Sequence, residues 1–285
     1  MNGVERIRRP HVLFGYDGTQ RNDAALRWAV EEARRRELDL VICHCWHWPY
    51  ASGHEDPDTE AILKRAGENI LARGVRRARE LGAPVVRRRL MRGPVDEALV
   101  RASGTAELTV IGSGEEPDEG APELEVPAKA PRPVIVVPDG EKRPRRVVAG
   151  TDATESCDPV LAFAFGEAAL RGWDLHVVYG CWEPASVEEH EWALFTDREL
   201  LEKTRTAELE DAVAPWRERH PDIEVTVSLL LERPLEALAE AADGAGLLVL
   251  GDRGTGFDPL GATSSAMLRR SSLPVAIIPG RRSRE

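Results

Sequence analysis

The sequence has few cysteines and no long apolar run. Four cysteines in 285 residues are too few for a disulfide scaffold in a chain of this size. No apolar stretch approaches the roughly 18 residues that a membrane span requires. The first residues carry charges without the apolar core of a secretory signal. We therefore expect a protein of the reducing cytoplasm that has no membrane partner.

Positive charge is also scarce. The net charge is −11, and most of it falls in the second half of the chain. Nucleic-acid binding needs Lys and Arg against phosphates, and the basic runs Arg34–Arg36 and Arg87–Arg89 are better explained as solvated edges of helices and strands. We expect no nucleic-acid partner. The 42% apolar and 31% charged residues are typical of a globular protein long enough for two domains.

One sequence module occurs twice. Val12–Thr19 reads VLFGYDGT and Val147–Thr154 reads VVAGTDAT. The halves also end alike, with PVIVVP at Pro133–Pro138 and PVAIIP at Pro274–Pro279. A repeat of this length indicates duplicated domains rather than a solenoid of short repeats.

The predicted domains are residues 1–140 and 141–285, and Asp139–Arg145 is the expected linker. Short apolar runs alternate with helical periodicity along both halves, which predicts an α/β fold with a parallel sheet and helices on both faces. Ligands in such folds bind at the carboxyl ends of the strands, where the strand order reverses. This rule directs attention to Asp17, Asp152 and the segments that follow the fourth strands.

A long helix is predicted over Thr59–Leu81. Its expected core face consists of Ile62, Ala66, Ile70, Val75 and Ala78.

A glycine-rich segment follows the fourth strand of the second half. It runs through Gly251 and Gly254 to Gly261, Thr263 and Ser264, and a helix is predicted over Ser264–Arg270. Glycines after a strand let the backbone approach a phosphate, and a helix amino terminus offers N–H groups and partial positive charge. Thr263 and Ser264 either add hydroxyl donors or cap the helix.

Four stretches carry a family resemblance: VLFGYDGTQRNDAALRWAVEEARRR, VVAGTDATESCDPVLAFAFGEAALR, LLVLGDRG and GATSSAMLRRSSLPVAIIP. With them the chain resembles the universal stress protein family in its tandem two-domain form. The resemblance implies two Rossmann-like domains of the adenine nucleotide alpha hydrolase-like type, each a five-stranded parallel sheet with helices on both faces. It also implies that the final strands, Val134–Val137 and Val275–Ile278, pair as an intramolecular pseudo-dimer, with homodimers as a further expectation.

One branch of that family binds ATP through a loop of the form Gly-x2-Gly-x9-Gly-Ser/Thr. In this chain six residues, instead of nine, separate Gly254 from Gly261, and Ala262 stands where Ser or Thr is expected. Thr263 or Ser264 is the expected substitute, and magnesium would accompany ATP. The adenine-nucleotide site implied by the resemblance consists of Thr151, Asp152, Thr154, Gly180, Gly251, Gly254, Gly261, Thr263 and Ser264.

The first half departs further from that loop. Glu115 replaces the second glycine, and the acidic stretch that follows would repel a triphosphate. The expected last helix contains Pro122, Pro127 and Pro131, so we expect it to be lost or broken. Asp17 remains, but the phosphate subsite of this half is expected to be lost.

Cysteine and histidine alternate in Cys43-His44-Cys45, which invites a zinc interpretation. Along a strand, however, Cys43 and Cys45 face one side and His44 faces the other. No second pair of such ligands lies nearby in sequence. Buried, apolar cysteines are the better explanation, and we expect no metal site.

Three functions remain open from the sequence. The leading one is a non-catalytic stress-response protein whose second domain binds an adenine nucleotide. The alternative is a scaffold that contacts unidentified proteins and needs no nucleotide. The third is a slow ATPase, for which Asp252 or Asp258 would have to serve as the base.

Overall fold

A computed structural model of the chain describes residues 9–48, 56–114, 120–140, 144–154, 157–181, 198–252 and 260–280. Contacts between Cα atoms divide the chain into two compact units, Met1–Gly140 and Glu141–Glu285. The two units are described separately below.

The first unit alternates strands and helices. Its elements are β1 (His11–Gly15), a 3-10 turn (Gln20–Asn22), α1 (Asp23–Arg35), β2 (Asp39–Trp46), α2 (Pro57–Glu80), β3 (Val86–Arg92), α3 (Val95–Ser103), β4 (Leu108–Gly112), α4 (Pro122–Lys129) and β5 (Val134–Val137). The strands pair in the order β3-β2-β1-β4-β5, and all of these pairs are parallel. The strand order reverses between β1 and β4, so their carboxyl ends open a crevice.

The second unit repeats this arrangement. Its elements are β6 (Arg146–Gly150), α5 (Asp158–Arg171), β7 (Asp174–Gly180), α6 (Arg198–Arg219), β8 (Val225–Leu230), α7 (Pro234–Ala242), β9 (Leu247–Gly251), α8 (Ala262–Arg270) and β10 (Val275–Ile278). The parallel order β8-β7-β6-β9-β10 equals that of the first unit. The α/β fold expected from the sequence is confirmed.

The central strands are short apolar runs because helices cover both faces of each sheet. In β1, β4, β6 and β9 every residue before the last is buried, except Arg146 at the start of β6. The glycine that ends each of these strands is partly exposed. The outer strand β3 is only half-buried and rich in arginine, and Arg87 pairs with Asp39 at 3.0 Å. Charge on such a strand disfavours edge-to-edge aggregation.

The core face of α2 agrees with the predicted one at Ala78 and differs from it elsewhere. Ile62 is 66% exposed, whereas Gly67, Leu71, Gly74 and Ala78 are the buried residues. Two of these are glycines because the helix packs closely: a Cβ on Gly67 would lie 2.8 Å from Leu90 of β3, and one on Gly74 would lie 2.7 Å from the Tyr16 ring. The prediction used only the spacing of apolar side chains, so it left out glycines, which are buried here because they permit close packing.

The last helix of the first unit exists, so the expectation of a broken helix was wrong. Pro122 is the first residue of α4, where the absent N–H costs nothing and the fixed φ favours the helix. Pro127 removes one hydrogen bond inside the helix, the one to the Glu123 carbonyl. Pro131 lies beyond the end of α4 and breaks nothing.

Other predicted boundaries shift by one or two residues. The helix expected to begin at Ser264 begins at Ala262, with Gly261 as its amino-terminal cap. Within the described part of the chain, no helix is both long and apolar enough to cross a membrane. The expected pairing of the two final strands, and homodimer formation, stay predictions.

Candidate ligand sites

The same polar turn follows the first strand of each unit. The carboxylate of Asp17 accepts hydrogen bonds from the Thr19 backbone N–H at 2.7 Å and from its hydroxyl at 2.9 Å. Asp152 accepts the matching bonds from Thr154 at 3.2 and 2.9 Å. These bonds orient each carboxylate at the carboxyl end of the central strand, so the repeated motif has a repeated geometry.

The turn needs one residue with left-handed backbone, and the two units differ there. The first unit has Gly18 at φ +85°, but the second has Ala153 at φ 59°. Thr151 supports the strained position by accepting the Ala153 N–H at its hydroxyl, at 3.0 Å. A Cβ in this conformation clashes with its own backbone, which costs roughly 1–2 kcal/mol.

Ala153→Gly is therefore expected to raise the free energy of unfolding by about 0.5–1 kcal/mol, since relief of strain exceeds the extra entropy of glycine in the unfolded chain. Urea titration monitored by circular dichroism measures this difference. The matched control is Gly18→Ala, which should destabilise because its Cβ would also lie 2.9 Å from Ile70. A lower midpoint for Ala153→Gly would show that the turn is not strained.

Gly180 ends the second strand of the second unit, where the resemblance implies contact with adenine. A Cβ on Gly180 would lie 2.8 Å from the Pro234 Cα and 2.9 Å from the Ala237 Cβ of α7. Close packing of α7 against β7 thus accounts for this glycine. A contact of its backbone with adenine stays a prediction.

The start of α8 faces the carboxyl end of β9. Ser264 is buried, and its hydroxyl donates a hydrogen bond of 2.8 Å to the Gly251 carbonyl. This bond fixes the amino terminus of α8 beside the strand end. Gly261 caps the helix without a side-chain hydrogen bond, and the first turn holds no acidic residue. Thr263 is half-buried in that turn and is the remaining predicted hydroxyl.

Two further predicted residues, Gly254 and Asp258, lie outside the described residues. Asp252 is described, and it is 9% exposed. Its carboxylate accepts the Gly280 N–H at 2.7 Å, which ties the end of β9 to the end of β10. Asp252 therefore has a structural role that needs no substrate.

A cavity of about 400 Å³ opens at the carboxyl ends of β1, β2 and β4 in the first unit. The sequence did not predict this cavity, because the glycine loop of this half is lost. Its lining includes Asp17, Asn22, His44, Leu99, Ile111 and Glu123. Its volume is within the roughly 300–1,000 Å³ typical of small-molecule sites.

The carboxylate of Glu123 lies at the edge of this cavity, between the end of β4 and the start of α4. Glu123, the second residue of α4, accepts the backbone N–H of Gly114 at 3.0 Å through Oε1. Backbone N–H groups after the fourth strand and the start of the last helix are the groups that would bind a phosphate. The acidic stretch Glu115–Glu119 lies outside the described residues. A proline at the first helical position followed by an acid was the missed sequence signal.

The two thiols of β2 contact each other. A hydrogen bond to Cys45 is the main reason that the pKa of Cys43 is raised well above its usual range, with burial second. The same hydrogen bond lowers the pKa of Cys45. His44 donates from Nδ1 to the Tyr16 carbonyl at 2.8 Å when that nitrogen carries the proton. No group of three or more His, Cys, Asp or Glu side chains suited to a metal occurs among the described residues.

Each unit is an α/β domain with a parallel sheet. In each, a polar turn follows the first strand and a glycine ends the fourth strand. These features define a tandem Rossmann-like protein. The sequence pattern of the universal stress protein family matches residues 9–138 and again residues 144–279. The chain belongs to the universal stress protein family and has two of its domains.

Known proteins resemble it along nearly the whole chain or along about half of it. Universal stress protein Rv2005c of Mycobacterium tuberculosis is 28% identical over an alignment of 303 positions, which covers 96% of this chain and 99% of that protein. A universal stress protein structure from Archaeoglobus fulgidus superposes with a TM-score of 0.73 at 16% identity, covering 95% and 96% of the two chains. A universal stress protein in complex with cAMP matches 47% of this chain and 99% of its own, at 22% identity and a TM-score of 0.40.

Proposed function

We propose that this chain is a non-catalytic stress-response protein whose second unit binds an adenine nucleotide such as ATP. One contrast carries the proposal. The start of α8 has a glycine cap and no acid in its first turn, whereas the equivalent turn of α4 holds Glu123 against Gly114. A helix amino terminus without a carboxylate favours an anionic ligand.

We assign roles to the remaining residues as part of this proposal. Asp152, held by Thr154 in the turn after β6, accepts hydrogen bonds from ribose hydroxyls. The backbone at Gly180 meets the base, and Gly251, Gly261 and Thr263 lie beside the phosphates. Gly254, outside the described residues, stays a predicted member of the site. Thr151 and Ser264 keep the two sides of the site in place. Magnesium enters as part of the ATP complex rather than through a protein-built site.

The scaffold alternative has support of its own. Ala262 offers no hydroxyl, the loop is three residues short of the family motif, and the Ser264 hydroxyl already bonds to Gly251. In that case the chain acts through partner proteins in the cytoplasm, in keeping with its four free cysteines. The ATPase alternative is weaker, because the carboxylate of Asp252 is engaged by Gly280.

Thr263→Glu is the most direct test of the proposal. It places an acid at the second residue of α8, the position that Glu123 has in α4, and it should weaken ATP binding by about tenfold or more. An acid there favours the helix itself, so folding should not suffer. Thermal-shift titration with ATP and magnesium measures the loss, since a ligand that binds only the folded state stabilises it.

Two controls make this result specific. Thr263→Gln has the size of glutamate without its charge and should retain most of the affinity. Asp152→Ala should weaken binding, whereas the matched Asp17→Ala in the first unit should leave it unchanged. A flat ATP response in the unmodified protein would favour the scaffold, and equal losses from both aspartate variants would contradict the assignment to the second unit.

A further inference from the structure

We propose that the first unit binds a monovalent copper ion through three sulfur atoms, the thiolates of Cys43 and Cys45 and the thioether of Met91. Two neighbouring strands, β2 and β3, bring these residues to one face of the sheet. We call the three residues the sulfur site. It lies in the first unit and needs neither a glycine loop nor a nucleotide.

The strand register places the three residues of the sulfur site side by side. Cys43 and Cys45 are two residues apart in β2, so their side chains point to the same face. A hydrogen bond joins the two thiols, which shows that the sulfurs meet. In the parallel pair of β2 and β3, Met91 is the direct partner of Cys45. Paired strands lie about 4.8 Å apart, a gap that the flexible thioether of methionine can span.

Helix packing identifies this face of the sheet. A Cβ on Gly67 of α2 would lie 2.8 Å from Leu90 and 3.3 Å from the His44 ring, so the side chains of these two residues face α2. Cys43 and Cys45 alternate with them on the opposite face, and both line the cavity of the first unit. Cys45 is partly exposed and Cys43 is buried. The cavity therefore provides a path by which an ion reaches the thiols.

The ligand set suits monovalent copper better than zinc. Thiolates and thioethers are soft ligands, which favour Cu(I). A structural zinc takes four ligands, and the described residues hold no group of three or more His, Cys, Asp or Glu side chains for it. His44 faces away from the two cysteines that flank it. Met91 therefore completes a set of three soft sulfurs without a harder ligand.

Positive charge next to the thiols favours the bound ion. Arg89 is the direct partner of Cys43 on the same face, and its charge acts on both thiols. Arg101 of α3 acts on Cys45 in the same sense, and Asp96 opposes it there. Both thiols release their protons to solvent when the ion binds. One Cu(I) with two thiolates is a net anion, which the guanidinium groups stabilise.

The second unit lacks the sulfur site and shows which residues the same fold accepts in its place. The strand register gives the equivalent positions: Cys43 corresponds to Val178, Cys45 to Gly180 and Met91 to Leu230. Valine and leucine are therefore conservative replacements for Cys43 and Met91, and exchanges of similar volume cost little stability.

Competition for Cu(I) with the coloured chelator bathocuproine disulfonate, in the full chain and without oxygen, tests the proposal. The unmodified chain should withdraw one copper ion. Cys43→Val and Met91→Leu should each weaken binding by about tenfold or more, because each removes a ligand. Zinc should remain on the dye pyridylazoresorcinol when the protein is added, since the site offers too few ligands for it.

The second unit supplies the matched controls. Met267→Leu, and the double variant Cys157→Ala with Cys181→Ala, remove sulfurs outside the site and should keep the affinity for Cu(I). Circular dichroism of every variant distinguishes loss of the site from loss of the fold. X-ray absorption of the copper-loaded, unmodified chain should show sulfur neighbours alone, a result that depends on no variant.

The proposal would be overturned if the unmodified chain withdrew no copper. Full affinity in Cys43→Val and Met91→Leu, or an equal loss in the control variants, would also overturn it, as would nitrogen or oxygen neighbours around the copper. Failure of ATP binding in the second unit would leave copper binding unchanged, so the two proposals can fail separately.

Discussion

Arg171→Met is expected to lower the free energy of unfolding by about 3–5 kcal/mol, because it leaves a carboxylate buried without its ion-pair partner. Arg171 pairs with Glu167 across one turn of α5 at 3.0 Å, and the two side chains are 2% and 0% exposed. Arg171 also lies over the Trp173 ring at 5.3 Å. Chemical unfolding followed by circular dichroism measures the loss.

The repeat supplies the control for this prediction. The first unit has the same pair, Glu32 and Arg36, at 2.9 Å, but here the arginine is 27% exposed. Arg36→Met should therefore cost less than Arg171→Met, since the partly exposed Arg36 is screened by water and stabilises its carboxylate less than the buried Arg171 does. Combining Glu167→Leu with Arg171→Met should restore much of the lost stability. Equal costs for both arginines, or no rescue, would show that burial of the charge is not the cause.

Gly180→Ala is the second large effect, with an expected loss of about 1–3 kcal/mol from overpacking. The added Cβ would overlap backbone and side-chain atoms of α7 at Pro234 and Ala237, 2.8 and 2.9 Å away. Neither contact is the end of a flexible side chain, so α7 must shift away from β7. Thermal and urea unfolding of the ligand-free protein measure the cost.

The control glycine lies in the same unit. Gly166, inside α5, has nothing within 4 Å of its Cβ position. Gly166→Ala should stabilise the protein by roughly 0.5–1 kcal/mol through helix propensity. If Gly180→Ala kept full stability and lost only nucleotide affinity, this glycine would be explained by the ligand rather than by helix packing.

The sequence was sufficient for the fold because the alternation of apolar runs and helical periodicity is strong in both copies. The sequence did not predict packing at glycines, where the absence of a side chain allows close contact. The glycines of α2, Gly67 and Gly74, are buried because a larger residue would not fit against the sheet. The prolines around α4 led to the wrong prediction of a broken helix, because whether a proline breaks a helix depends on its position. Pro122 starts the helix and Pro131 follows it.

The site was harder to predict than the fold. Asp17 and Asp152 stand out because the motif repeats, and their hydrogen bonds to Thr19 and Thr154 repeat as well. Contact between Glu123 and Gly114 spans nine residues and depends on the helix that was thought to be lost. Its local signal in the sequence is the proline and the acid that begin α4.

Unequal use of two copies is the central claim, and the number of ATP molecules bound per chain tests it most directly. Isothermal titration calorimetry of the full chain with ATP and magnesium should give one site, and that site should be lost in Thr263→Glu but retained in Asp17→Ala. Two sites per chain, or a single site that survives Thr263→Glu and disappears in Asp17→Ala, would contradict the account.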